Sequence, residues 1–211
     1  MQNLSSNKFL SFFLIILISV SLSSFVQNDT FDFGKLKYFP EIPIKNQVLV
    51  NSEEAKIGRY LFYDPILSRD SSFSCSSCHQ QKFSFGDSIS FSKGIDGELT
   101  KRNTMPLFNL LWYEKYFWDG RANTIEEQAF EPLQTHSEMD LNWLIAASRI
   151  TNSSFYKPMI DKVFGSTIID SNLIVKLIGQ FERTLISQNS KFDRVVRGET
   201  SLTKKNILVS N

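Results

Sequence analysis

Cysteine and histidine are scarce in this chain, with two of each among 211 residues. That scarcity rules out a disulfide framework and leaves too few donors for a structural zinc site, which normally takes four. Runs of like charge are missing as well. With a formal net charge of +1, neither nucleic acid nor another polyanion is expected as a partner. No segment alternates apolar and polar residues convincingly, so a mostly α chain is expected. Without a βαβ pattern, a thioredoxin-like Cys-x-x-Cys redox pair has no setting. What the chain has in quantity is aromatic mass, 19 Phe and three Trp, enough to enclose a large flat apolar group as well as to fill an ordinary core.

Three of the four scarce residues fall in one pentad, Cys75-Ser76-Ser77-Cys78-His79. Cys-x-x-Cys-His is the attachment signature of haem c: two thiols join the vinyl groups of one haem, and the adjacent imidazole binds its iron. A single helical turn between the cysteines would leave His79 beneath the iron as proximal ligand. A plain disulfide would leave His79 unexplained. One covalent haem c, held by Cys75, Cys78 and His79, is therefore expected.

Residues 1–24 combine a lone early charge, Lys8, an apolar run from Phe9 to Val20, and the small residues Ser21 to Ser24. This is the layout of a secretory leader. The run also approaches spanning length, so an uncleaved membrane anchor is the alternative. Either version delivers the domain to the periplasm, where bacterial haem c is attached. Residues 25–50, with Gly34, Pro40 and Pro43, read as an extended arm pinned down by Phe31, Phe33, Tyr38 and Phe39.

A haem domain is expected over residues 51–190. Asn51-Ser52-Glu53-Glu54 has the form of a helix start, and Asp64-Pro65 ends that helix after it has buried Ile57, Tyr60 and Leu61. Arg69, in a polar loop, is either a solvated charge or a guanidinium fork for a haem propionate. Residues 80–97 read as loop around the haem edge. Thr124-Ile125-Glu126-Glu127 resembles a capping box, and Pro132 should end or kink the helix that follows. Asp140 is expected to cap Leu141 to Ile150. A helix from Ser154 to Phe164 should stop at Gly165. The strongest pattern runs from Ser171 to Ser187, with Ile174, Leu177, Ile178, Phe181 and Leu185 on one stripe.

Several blocks together resemble one family, the bacterial di-haem cytochrome c peroxidases. They are Gly58 to Pro65, Leu67-Ser68-Arg69-Asp70, the pentad, Lys101-Arg102-Asn103, Phe117 to Ala122, Glu126-Glu127-Gln128-Ala129, Pro132, Glu138-Met139, and Phe181 to Leu185. The resemblance implies a cytochrome c-like haem domain with long loops that reduces hydrogen peroxide to water with electrons from a small cytochrome c. It also implies residue roles. Glu138 would move a proton between the peroxide oxygens, which suits a carboxyl within hydrogen-bond reach. Gln128 would orient the bound molecule, Trp118 would help electrons pass, and Asn103 would contribute to a calcium site. For each, a buried aromatic or a satisfied polar residue is the plainer reading.

Two departures from the family pattern stand out. Ile95 occupies the place where some members carry a distal histidine, which implies an iron with one open face. His136 is a substitute ligand candidate, and Met105 and Met139 are thioether candidates or simple packing. Residues 191–211 match only the start of a second haem domain. Because peroxide reduction takes two electrons, a lone haem is expected to be a weak peroxidase unless a second haem domain in another chain completes it. The competing expectations are a mono-haem electron carrier, closed by a sixth ligand, and an enzyme that oxidises a protein or a small organic substrate. Protein made in cells with a working cytochrome maturation system should keep its colour after denaturation and exceed the bare chain in mass; a colourless product of unmodified mass would end the haem assignment.

Overall fold

The structure, a computed structural model, describes residues 29–34, 36 and 38–203. The expected leader lies outside these residues. Among the described residues, no helix is long and apolar enough to cross a membrane. The fold is mainly helical, as the sequence pattern predicts. Its named helices are α1 (Ser52–Tyr63), α2 (Cys75–Cys78), α3 (Ile125–Gln134), α4 (Trp143–Thr151), α5 (Tyr156–Phe164), α6 (Ser171–Arg183) and α7 (Lys191–Val196), joined by long loops and short 3-10 turns.

Helix α1 starts where expected: Asn51 Oδ1 accepts from the amides of Glu53 and Glu54 at 2.9 and 3.0 Å, and the two acids then face the positive end of the helix. Asp64 ends it, and the carboxylate turns forward to accept from Ile66 N at 2.9 Å. Helix α6 buries Ile174, Leu177, Ile178 and Phe181 against α1 and α3. Each such side chain contributes roughly 1.5–3 kcal/mol relative to exposure. The two helices approach so closely that a Cβ on Gly58 would lie 1.8 Å from the Leu177 carbonyl oxygen. Only glycine fits that crossing. On the other side, Arg183 forks onto Glu126 at 2.7 and 3.0 Å, a largely buried pair that ties α6 to α3.

Three boundaries differ from expectation. Asn142, not Asp140, caps α4, accepting from Leu144 N and Ile145 N; Asp140 sits at φ 48° and directs its carboxylate elsewhere. Helix α3 continues through Pro132 to Gln134, so of the two expected outcomes, an end or a kink, the end does not occur, because proline near a C-terminus forfeits only the bond to the carbonyl one turn back. Helix α6 ends at Arg183, four residues early. There the Thr184 hydroxyl donates to the Phe181 carbonyl, and the chain beyond pairs with Asn109, which bonds to Leu185 O and Ser187 N at 2.8 Å each.

The arm crosses the domain as an irregular strap. Phe31 N donates to Val50 O at 2.7 Å, Phe39 packs on Trp112 with ring centroids 4.6 Å apart, and buried Asn46 donates to the carbonyls of Leu111 and Tyr113. Phe31 and Phe33 pack on each other, and Tyr38 is half exposed. Gly58→Ala should destabilise the fold by at least about 1–3 kcal/mol through overpacking, read as a lower midpoint in thermal unfolding followed by circular dichroism. An unchanged midpoint would show that the α1–α6 crossing is not tight.

Candidate haem-binding site

Helix α2 is a single turn. Its start is held by Ser74, whose amide donates to Ser77 Oγ at 3.1 Å, and its end by His79 N donating to Cys75 O at 2.9 Å. This turn sets both cysteines, half-buried and not disulfide-bonded, on one wall of a cleft. His79 follows directly. Its Nδ1 lies 2.7 Å from the Phe85 carbonyl oxygen. That carbonyl is aimed by a tight reversal over residues 80–86, in which Ser84 and Phe85 both take φ 59° and Gln80 N donates to Gly86 O at 2.9 Å. With Nδ1–H donating to Phe85, Nε2 is the nitrogen left to bind a metal.

Electrostatics fit attachment better than redox exchange. Burial pushes the Cys75 thiol up to about 12 and the Cys78 thiol up to about 11, the latter against a hydrogen bond from Ser92. A catalytic dithiol is tuned the opposite way. Burial likewise lowers the pKa of His79, against the carbonyls of Phe85 and Met105, which favours the neutral imidazole that coordinates iron. The cleft has apolar walls that include Phe73, Ala129, Leu133, Met139 and Ile178. It adjoins a second hollow that shares His79, Gln128 and Glu138 with it. The donor set and the apolar walls fit haem.

The structure brings Glu138, Gln128 and His79 to the same cleft. Gln128 is buried on α3. Burial raises the Glu138 pKa, with Arg121 opposing and Glu131 adding to the shift. The Glu138 backbone is gripped from two sides: its carbonyl accepts from Ile95 N at 2.8 Å, and the next carbonyl, of Met139, accepts from Arg69 N at 3.0 Å. Gly94 makes the first contact possible, because a Cβ there would lie 1.9 Å from Ser137 O and 2.9 Å from Glu138 Cα. Trp118 lines the second hollow and not the first. It is 61% exposed, and its Nε1 donates to Asn103 O at 2.8 Å. Asn103 spends its side-chain amide on Ile89 O at 2.7 Å.

Two expected residues are not brought to the cleft. Arg69 donates to Asp96 at 3.0 and 2.5 Å and to Asp140 at 2.7 Å, so its fork is occupied by carboxylates, and it lines neither hollow. These contacts hold both aspartates below the usual carboxylate range. His136 is exposed, with Nδ1 3.1 Å from Asp140, one helical turn's spacing away in sequence, and lines neither hollow. Asp96, His136 and Asp140 also form a group of potential cation donors among the described residues, and Arg69 already pairs with both carboxylates; Asn103 is not part of it. Conversely, Glu182 lines the cleft and was not singled out as a site residue in the sequence. Its signal is a carboxyl four residues after Ile178, at the border of the apolar stripe of α6.

The helical fold and the Cys-x-x-Cys-His cleft define the class, a cytochrome c-like domain. More narrowly, the chain belongs to the di-haem cytochrome c peroxidase family, whose profile matches residues 52–201. It is 35% identical over 160 residues to the cytochrome c551 peroxidase of Nitrosomonas europaea, covering 76% of this chain and 48% of that protein. It is 32% identical over 157 residues to the methylamine utilization protein MauG of Methylophilus methylotrophus, covering 74% and 46%. Among solved structures, a MauG-like protein associated with microbial copper homeostasis superposes with a TM-score of 0.74 at 29% identity, over 82% of this chain and 52% of that one. The diheme peroxidase BthA from Burkholderia thailandensis, at 21% identity and TM-score 0.66 over 74% of this chain and 44% of that one, shares the fold. The chain spans about half the length of the curated relatives it matches. Membership of this family implies a haem c cofactor.

Gly94→Ala should lower the midpoint of thermal unfolding, because a methyl group there collides with the backbone of Ser137 and Glu138. Circular dichroism reads this, and an unchanged midpoint would show that the 94–138 approach is not tight.

Proposed function

We propose that this chain forms the peroxide-reacting haem domain of a cytochrome c peroxidase, exported to the periplasm. The observation that carries this reading is the convergence of Glu138 and Gln128 with His79 on the cleft that holds Cys75 and Cys78. In this reading the two thiols tether haem c and His79 Nε2 holds its iron. Phe85, through its carbonyl, fixes the imidazole and strengthens it as a ligand. The bound haem supplies the redox centre at which hydrogen peroxide takes up electrons.

The protein's own part is proton management and access. Glu138, kept from ionising easily by burial, takes the proton from one oxygen of hydrogen peroxide and returns it to the other, so that the leaving oxygen departs as water. Gln128, buried beside it, orients the bound molecule. Each peroxide consumes two electrons and two protons to give two waters. The electrons come from a small cytochrome c or similar donor, and Trp118, exposed on one side and lining the second hollow on the other, is the entry side chain. A second haem domain, in another chain or another part of the same protein, stores the second electron.

Purified haem-loaded protein should change its haem spectrum on mixing with hydrogen peroxide and oxidise a reduced small cytochrome c only weakly in steady state unless a second haem domain is supplied. Glu138→Gln should slow the peroxide step by roughly 100-fold or more. A spectrum indifferent to peroxide would favour an electron carrier with a closed iron. The pH dependence carries a sign. Glu138 must be ionised to accept the first proton and its pKa is raised, so the rate should fall as pH drops through an apparent value above the ordinary glutamate value of about 4.3. An acid limb at or below that value would remove Glu138 from this role.

A further inference from the structure

The α6 wall of the cleft carries a carboxyl group that the proposed reaction leaves unused. Glu182 is 4% exposed, shares the cleft with Cys75, Cys78 and His79, and among the described residues its Oε2 has no hydrogen-bond partner. Its neighbour Arg183 is committed to Glu126 through both terminal nitrogens. A buried carboxylate without a partner is strongly disfavoured, so the group tends to hold a proton. Burial pushes its pKa up to about 8, against Arg183 and reinforced by Glu126.

Glu138 and His79 line the same cleft, and few other titratable groups face Glu182. From α2 comes Cys75, whose thiol feels the carboxyl, and from the loop before α3 comes Tyr116. Helix α1 meets α6 at this level through Gly58, Phe62 and Tyr63, the last two packed on the Phe181 ring. The ion pair between those helices, Glu54 with Lys176, lies six residues back along α6, about 9 Å. Helix α4 turns Arg149 away, to the carbonyls of Ile66, Ser68 and Arg69. A haem held at Cys75, Cys78 and His79 would be the redox charge in this cleft against which Glu182 titrates.

We propose that Glu182 is the proton-accepting group coupled to haem reduction. In the pH window where Glu182 is ionised beside the oxidised haem, one electron delivered by a reduced small cytochrome c would bring with it one solvent proton, which would form an O–H bond on the Glu182 carboxylate. No other bond forms or breaks. The site's net charge is then unchanged by the electron, which keeps a buried centre easier to reduce. The inference rests on haem held at Cys75, Cys78 and His79, and not on peroxide reactivity.

The test is the midpoint potential of the haem-loaded protein, measured spectroelectrochemically with mediators from pH 5 to 10. The wild type should show a window in which the reduction equilibrium falls up to tenfold per pH unit, about 59 mV for one electron. Glu182→Gln, the same shape without the proton, should be flat there and sit at the wild type's low-pH potential. Reduced-minus-oxidised infrared spectra of the wild type should show a protonated carboxyl band that moves on 13C-glutamate labelling and is absent from Glu182→Gln. If the glutamine variant fails to load haem, Glu182→Asp must shift the window, and the labelled band must still appear in the wild type. A flat wild-type profile, a slope unchanged in Glu182→Gln, or a slope lost only in Glu138→Gln overturns the proposal. A colourless wild-type protein overturns it together with the haem assignment, whereas a loaded protein inert to peroxide but showing the window leaves this inference standing and removes only the peroxidase reading.

Discussion

His79 is held by a hydrogen bond to the Phe85 carbonyl at 2.7 Å, and the direction that bond imposes governs the cleft. An imidazole has two nitrogens that compete for every partner, so committing Nδ1 to a carbonyl decides which face Nε2 sees. The commitment is expensive to build. It takes two consecutive residues in the left-handed region, Ser84 and Phe85, and a reversal closed by Gln80 and Gly86. Neither positive-φ residue is glycine, which marks the turn as held by its surroundings and not by intrinsic preference. Phe85 itself packs among the aromatic side chains around Phe62, and Phe62 is fully buried beneath α6. The orientation of the imidazole is thereby tied to the main helix crossing.

The opposite wall depends on close backbone approach. At Gly58 and at Gly94 a methyl group would collide with a carbonyl oxygen, in one case between helices and in the other between two loops. The first contact lets α6 press its apolar stripe onto α1. The second lets the 93–97 loop grip the segment carrying Glu138. Side chains then reinforce these approaches from outside, with Arg183 forked on Glu126 and Arg69 forked on Asp96 and Asp140. The Arg183 pair is largely buried and structural, whereas the Arg69 pairs are half exposed and screened by salt.

Much of this was legible in the chain because it is local. The Asn51 cap, the Asp64-Pro65 stop, the stripe of α6 and the Cys-x-x-Cys-His turn are each set by residues within one or two turns of each other. Long-range partners were not legible. Arg69 reads equally well as a propionate fork until Asp96 and Asp140, 27 and 71 residues away, are found on it. Asp140 looks like a helix cap for the same reason: a short acid before an apolar run, with nothing local to show that its charge is spent on Arg69. Asn142 stands two residues later and takes the cap instead. Glu182 was hidden differently, because its burial in the cleft comes from residues distant in sequence.

The elevated thiol pKa values bear on the life of the chain before its cofactor arrives. Disulfide formation proceeds through the thiolate, and in the folded apoprotein Cys75 and Cys78 both remain protonated at neutral pH. A molecule that closes early therefore resists air oxidation and wrongful crosslinking. The same protonation would make it a sluggish substrate for any attachment chemistry that needs an ionised sulfur, so haem insertion is best timed while the segment around the pentad is still open.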